Sequence, residues 1–311
     1  MFTVTGDNYQ SYFIIVRLVD SSVSRNRSGS SNRPDRRRDR SDALGRAMLA
    51  HHRGEPGRLT YRDGGAVQEC NVEAFYFSDP DSWERETIDC LERLADRGPI
   101  LDVGCGAGKH LLWWADRGVE TVGVDVSPNA VLTASERCEA RRISSRSGEA
   151  AKRGLEDVFV GDMFDLPVSS DAFGAVHAVG TQVGLGRSLA GIRALLNEFA
   201  RVTDDGGTAV VDEYDPTQLD GDCFGFRPDP RTGIAHRCFH LEFERGRPDG
   251  TRARVVGRTL QFLLCSPARL RDATDGTPWR MTDVLRADGT AHYRAILEKR
   301  CDASPVAPSR R

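Results

Sequence analysis

The chain has 311 residues and a formal net charge of −3, with 39% hydrophobic and 29% charged residues. That is the composition of a globular protein long enough to bury a full α/β core with appendages, and it excludes disordered, collagenous and membrane-spanning classes. Charge is uneven, with seven Arg and two Asp between Arg25 and Arg40, and Lys only at positions 109, 152 and 299.

The first N-terminal apolar run, Tyr12 to Val19, is interrupted by Arg17 and lacks the flanks of a secretory leader. It is also too short to cross a bilayer. Eight cysteines occur with no C-x-x-C pair, which points to free thiols in a reducing cytoplasm rather than a disulfide framework. The expected location is therefore cytoplasmic.

Residues 1–41 read as an Arg/Ser-rich extension that buries too little apolar surface to order itself. It carries no aromatic interleaving of the kind a nucleic-acid-binding arm uses. A lead-in follows over 42–80, with weak helical periodicity from Asp42 to His52 and a small hairpin from Leu59 to Cys70 about Arg62-Asp63-Gly64-Gly65. Phe75-Tyr76-Phe77 either caps the core edge or forms a flap over the site. Asp81-Ser82-Trp83-Glu84 has the form of a capping box, and Trp83, Ile88, Leu91 and Leu94 mark one face of the helix after it.

From Ile100 the pattern alternates strand and helix. Strands are expected at Ile100–Val103, Glu120–Asp125, Val158–Asp162, Ala172–Val179 and Thr208–Glu213. The helices between them include one opened by Ser127-Pro128 and an amphipathic one from Leu189 to Val202. Such alternation predicts an open parallel sheet covered on both faces. Residues 140–155 read as a helix end and an inserted polar loop. Beyond the fifth strand, Arg237–Arg245 and Arg252–Leu264 flank a Pro248-Asp249-Gly250 turn, an expected hairpin within an insertion over 214–265. A closing hairpin is expected at Trp279–Arg286 and Thr290–Leu297, and a tail at 301–311.

The core opens on Asp102-Val103-Gly104-Cys105-Gly106-Ala107-Gly108. Glycines at alternate positions between a strand and a helix let a ligand lie on the backbone. The spacing is G-x-G-x-G, whereas the dinucleotide fingerprint needs G-x-G-x-x-G. In an open α/β sheet the ligand meets residues beyond the strands' carboxyl ends. Those are Asp102, Gly104, Cys105, Gly106 and Gly108, then Asp125 with Val126, then Asp162 with Met163, and finally Gly180 and Gln182. Asp125 lies where a carboxylate can accept both hydroxyls of a ribose. Three acids ending successive strands suit a cationic adenosyl ligand, whereas a pyrophosphate would be repelled by Asp102.

The D-x-G-x-G-x-G stretch, with Asp125 and Gly161-Asp162-Met163, resembles the class I S-adenosylmethionine-dependent methyltransferases over residues 81–300. The resemblance implies a Rossmann-like, mostly parallel seven-stranded sheet with an antiparallel C-terminal strand. It also implies S-adenosyl-L-methionine as cofactor, with Asp162 accepting from the adenine amino group, Met163 covering the ring and Gly180-Thr181-Gln182 near the methionine portion. The activity implied is methyl transfer to a small-molecule acceptor by in-line displacement. The alternatives are a nicotinamide-dependent oxidoreductase and a non-catalytic S-adenosylmethionine-binding module.

No Asn/Asp-Pro-Pro-aromatic motif follows the fourth strand, and no Pro-Cys pair is present, which argues against base-modifying nucleic-acid enzymes. No membrane partner is expected. The insertion is expected to roof the acceptor. Asp212, Glu213, Tyr214 and Asp215 are candidate bases, but none can be chosen by sequence. His177 reads as a packed core histidine. His236, Cys238 and His240 share a strand face without a fourth ligand, so no metal is assigned.

Overall fold

The computed structural model describes residues 41–55, 57–144, 155–219, 223–246 and 249–301. The extension, the polar loop at 145–154 and nearly all of the C-terminal tail lie outside the described residues.

The lead-in supplies helix α1 (Ala43–His52), strands β1 (Arg58–Asp63) and β2 (Ala66–Cys70) and a short helix α2 (Val72–Tyr76). Pro80–Ser82 then makes a single 3-10 turn, and helix α3 runs from Arg85 to Ala95. The expected capping box does not form. Ser82 Oγ donates to Asp79 O, Trp83 Nε1 donates back to Ser78, and Glu84 caps α3 with no side-chain bond. Pro80 starts the turn early because its fixed φ suits a first helical position.

The core follows as alternating strands and helices, except that no helix separates β5 from β6. Strand β3 (Ile100–Val103) leads to helix α4 (Lys109–Ala115), and β4 (Thr121–Asp125) to α5 (Pro128–Ser144). Strand β5 (Leu155–Val160), β6 (Phe173–Ala178), α6 (Leu189–Val202) and β7 (Thr203–Tyr214) complete the parallel part. β7 starts five residues earlier than expected, because Thr203 already pairs with Phe173 before a register shift around Gly206.

The insertion forms β8 (Phe226–Pro228), β9 (Ile234–Gly246), β10 (Arg252–Val256) and β11 (Leu260–Cys265). Helix α7 (Pro267–Thr274), β12 (Trp279–Leu285) and β13 (His292–Lys299) close the fold. The main sheet has the order β12-β13-β7-β6-β3-β4-β5, with β13 antiparallel to both of its neighbours.

Helices cover both faces because each strand alternates. Ile100, Ala175, Val210 and Ile296 point to one face, under Leu91 and Leu94 of α3 and Trp113 and Trp114 of α4. Leu101, Val103, Val176, Ala178, Ala209 and Val211 belong to the core on the other face, with Ile192, Leu195, Leu196 and Phe199 of α6.

The expected hairpin is β9 with β10 and β11, broken near Gly257. It does not stand alone, however. β1 pairs antiparallel with β9, Tyr61 opposite Leu241, so lead-in and insertion make one six-stranded sheet. Leu59, Tyr61, Phe239, Leu241 and Phe243 join its inner face to the main core.

Trp279 anchors β12, fully buried with its Nε1 donating to Leu196 O at 2.7 Å. Trp279→Ala should lower the unfolding free energy by about 3–5 kcal/mol, read from urea titration.

Candidate functional site

The chain runs outward from β3 to β4 and β5, then returns to β6 on the other side of β3. That reversal opens a crevice beyond the carboxyl ends of β3 and β6. The glycine turn sits there. Gly104, Gly106 and Gly108 have φ of +73°, +55° and +76°, a region in which side chains are strained. A Cβ on Gly104 would also stand 1.8 Å from Gln182 Nε2. Val124 O accepts from Gly104 N at 2.7 Å and from Cys105 N at 3.1 Å, which pins the turn to β4. Cys105 is buried and its thiol is pushed well up by burial, as suits a filler side chain.

Asp125 ends β4 fully buried. Its Oδ2 accepts from Gly106 N at 3.0 Å and its Oδ1 from Ser127 N at 2.8 Å. Burial pushes its carboxyl up to about 7, against the pull of the two amides. Val126 beside it is half-buried. Asp162 accepts from Phe164 N at 3.1 Å and Met163 is buried next to it.

Gly180 and Thr181 both adopt positive φ. Their amides donate to Asp212 Oδ2 at 2.9 Å and Oδ1 at 2.6 Å. Asp212 is also bonded to His292 Nε2 at 2.9 Å. Burial pushes the Asp212 carboxyl up, but His292 and the amides hold it below its ordinary value. Gln182 is fully buried and neither end of its amide has a hydrogen-bond partner.

The structure brings the expected residues to one place and adds others. Asp42 caps α1, accepting from Gly45 N at 3.0 Å, and also receives Ser127 Oγ and Asn129 Nδ2. This ties the lead-in to the start of α5. As a result Tyr76 and Met48 lie 3.5 and 3.7 Å from where a Cβ on Gly106 would stand. Asp42 was visible in sequence only as an acid before a weak helical pattern.

The candidate bases separate by environment. Asp212 is occupied by the loop it clamps, and Asp215 by Thr217 and Arg286. Tyr214 lies against the His292 ring. Glu213 is fully buried. Its Oε2 accepts from Tyr214 N at 3.1 Å, while Oε1 has no well-formed hydrogen bond among the described residues. Burial pushes its carboxyl well up, outweighing the Tyr214 and Cys265 amides that pull it down.

His177 is buried as expected but not inert. Its Nδ1 lies 2.8 Å from Asp102 Oδ1, and with His110 the pair forms a group whose polar atoms fall within 4.8 Å of one another. His236 and His240 face outward from β9 toward separate partners, Asp229 and Glu242.

Residues 100–207 match a family described as "Methyltransferase domain". Methyltransferase GfsG of Streptomyces halstedii is 30% identical over 154 residues, covering 45% of this chain and 50% of that protein. A demethylmenaquinone methyltransferase of Tropheryma whipplei is 27% identical over 170 residues, covering 54% and 63%. The chain thus spans between half and two thirds of the length of these curated relatives. An S-adenosylmethionine-dependent methyltransferase from Bacteroides fragilis, solved with S-adenosyl-L-homocysteine, shares the fold. Its TM-score is 0.61 at 18% identity, over 84% of this chain and 96% of that one. Residues 100–207 thus carry a methyltransferase domain, on a fold shared with that S-adenosylmethionine-dependent enzyme. Among the described residues, no helix is long and apolar enough to cross a membrane.

The raised Asp125 pKa has a stability consequence of definite sign. Unfolded, the group loses its proton near 4; folded, it keeps it until about 7. The folded state therefore holds more protons between those values, and stability falls as pH rises through them. Measured by urea titration, wild-type protein should lose stability relative to Asp125→Asn between about pH 4 and 7, and no further above that. The comparison cancels Lys109, whose ammonium burial pulls down to about 7.

Proposed function

We propose that this chain binds S-adenosyl-L-methionine at the glycine turn and catalyses methyl transfer to a small-molecule acceptor. The observation that carries the reading is the ring of acids, Asp102, Asp125 and Asp162, at the ends of parallel strands around the turn. Two orphaned buried groups fit the same ligand: among the described residues, Asp102 Oδ2 and the Gln182 amide have no hydrogen-bond partner. Each can serve the methionine portion, Asp102 as acceptor for the ammonium and Gln182 as donor to the carboxylate. Asp125 keeps acceptor capacity on each oxygen for the ribose hydroxyls, since a carboxylate oxygen takes two hydrogen bonds. Asp162 and Met163 would serve the adenine.

The donor supplies an electrophilic methyl group on a sulfonium. What the protein contributes is alignment and exclusion of water. Gly180 and Thr181, held by Asp212, set the backbone beside the reacting centre. Glu213 is the candidate for taking a proton from the acceptor, because both carboxyl oxygens of Asp212 and of Asp215 are engaged, whereas Glu213 Oε1 has no well-formed hydrogen bond among the described residues. The six-stranded sheet would roof the acceptor, with Tyr61, Phe224 and Phe239 forming an aromatic wall. The rings at 75–77 act as part of the cover over the cofactor, as the position of Tyr76 beside Gly106 supports.

A ligand that binds only the folded state raises its melting temperature. S-adenosylhomocysteine should stabilise the protein by several degrees (about 2.7 kcal/mol at a hundredfold excess over Kd), and NAD should not. Stabilisation by NAD alone would return the oxidoreductase reading. Labelled methyl should pass from S-adenosylmethionine to a low-molecular-weight fraction of a metabolite extract. Asp125→Ala should weaken cofactor affinity far more than it lowers the melting temperature; equal losses would make Asp125 a structural residue only.

A further inference from the structure

Strand alternation gathers a row of polar side chains on the face of the main sheet that α3 and α4 cover. Asp102 and His177 are direct partners in the β3–β6 register, and Asp212 and Arg294 are direct partners in the β7–β13 register. All four are buried at 6% exposure or less. His177, His110, Asp212 and Arg294 line one small cavity together with Thr87, Cys90 and Val179. A buried carboxylate is costly unless it is bonded, and Asp102 has one protein partner, the His177 ring. Because a carboxylate only accepts, His177 must carry its proton on Nδ1. The ring is fixed by edge-on contacts with Trp114 at 5.1 Å and His110 at 5.0 Å, and Trp114 is itself held by its Nε1 donating to Leu91 O at 3.0 Å.

We propose that His177 is a positioning residue for cofactor binding. By donating Nδ1–H to Asp102 Oδ1, it turns Oδ2 into a fixed acceptor for the ammonium group of the bound amino-acid portion. The proposal rests on the cofactor reading above. The side chains act as a supported pair of the kind that holds ligating groups in place elsewhere, with the aromatic packing behind His177 as the outer support.

A metal ion held by Asp102, His110 and His177 is the competing occupant, and the geometry opposes it. The Asp102 oxygen and His177 nitrogen stand at hydrogen-bond distance, 2.8 Å, whereas two ligands about 2.0 Å from one tetrahedral zinc stand roughly 3.3 Å apart.

The test separates the amino-acid portion from the adenosine portion. S-adenosylhomocysteine carries the ammonium; 5′-methylthioadenosine lacks it. Both are titrated calorimetrically into the full-length wild type, His177→Asn and His177→Gln. Asn places its amide N–H near the position of Nδ1, whereas Gln extends it away from Asp102. The Gln variant should bind S-adenosylhomocysteine about tenfold or more weakly, as loss of a hydrogen bond to a charged group implies. The Asn variant should stay close to wild type. Affinity for 5′-methylthioadenosine should be unchanged in both.

If the Gln variant does not fold, Asp102→Asn serves in its place, with the same selective loss expected. Equal weakening of both ligands, or equal damage by Asn and Gln, overturns the proposal while leaving the cofactor reading intact. Stoichiometric zinc in the purified wild type overturns it as well. A wild type that binds neither ligand overturns the cofactor reading and this proposal with it.

Discussion

The Asp125 carboxylate is the constraint on which the site's geometry depends. One oxygen holds Gly106 of the turn and the other holds Ser127 at the start of α5. Ser127 in turn binds Asp42, so the same short chain of bonds reaches the lead-in. The turn is left-handed at its glycines, which reach that region without strain, and Val124 O and Asp125 hold it from both sides. The carboxyl's raised pKa is the cost of this arrangement, since no cation lies beside it to offset burial. A polar ligand that donates hydroxyls there would favour the ionised form.

The fold was legible where periodicity decides it. Residues 189–202 show a 3.6-residue stripe, and α6 occupies that span; the apolar runs at 100–103 and 120–125 became β3 and β4. What could not be read was pairing between distant segments. Tyr61 and Leu241 are 180 positions apart and their alternation only says that each has an inward face, not that the faces belong to one sheet. The α3 start was misread for a related reason. The capping-box spacing is a local signal, and Trp83 bonding back to Ser78 overrode it.

The site divides along the same line. Glycine spacing and strand-end acids are sequence-local, so the turn follows β3 and Asp125 ends β4 as expected, whereas β5 stops at Val160 and leaves Asp162 two residues beyond it. His177 illustrates what is not local. Its apolar neighbours say correctly that it is buried, but its role depends on Asp102, 75 residues away in sequence and adjacent only through the parallel register of β3 and β6. Asp212 shows the converse. It sits near the carboxyl end of β7, the fifth parallel strand, close to where a base could lie, yet Gly180, Thr181 and His292 occupy its oxygens. A carboxylate so engaged shapes the loop and has little capacity left for proton transfer.

The six-stranded sheet explains why the acceptor is harder to read than the cofactor. Cofactor contacts come from backbone and strand ends that any domain of this topology must place similarly. On the proposed reading, the acceptor side comes from the inserted sheet, whose inner face sets Arg237 among the rings of Tyr61, Phe224 and Phe239. The Arg237 side chain is 2% exposed, donates Nε–H to Phe224 O at 2.6 Å, and lies with its guanidinium 4.8 Å over the Phe239 ring. Burial lowers its pKa, and among the groups that raise it are Cys223, Tyr214, Tyr61 and Glu213. Two ionisable groups facing each other from different sheets, Arg237 on the roof and Glu213 on β7, make this interior polar at one spot and aromatic around it. On the proposed reading, an acceptor must match both properties, and this pairing of guanidinium and carboxyl is set by tertiary packing, which no local sequence signal reports.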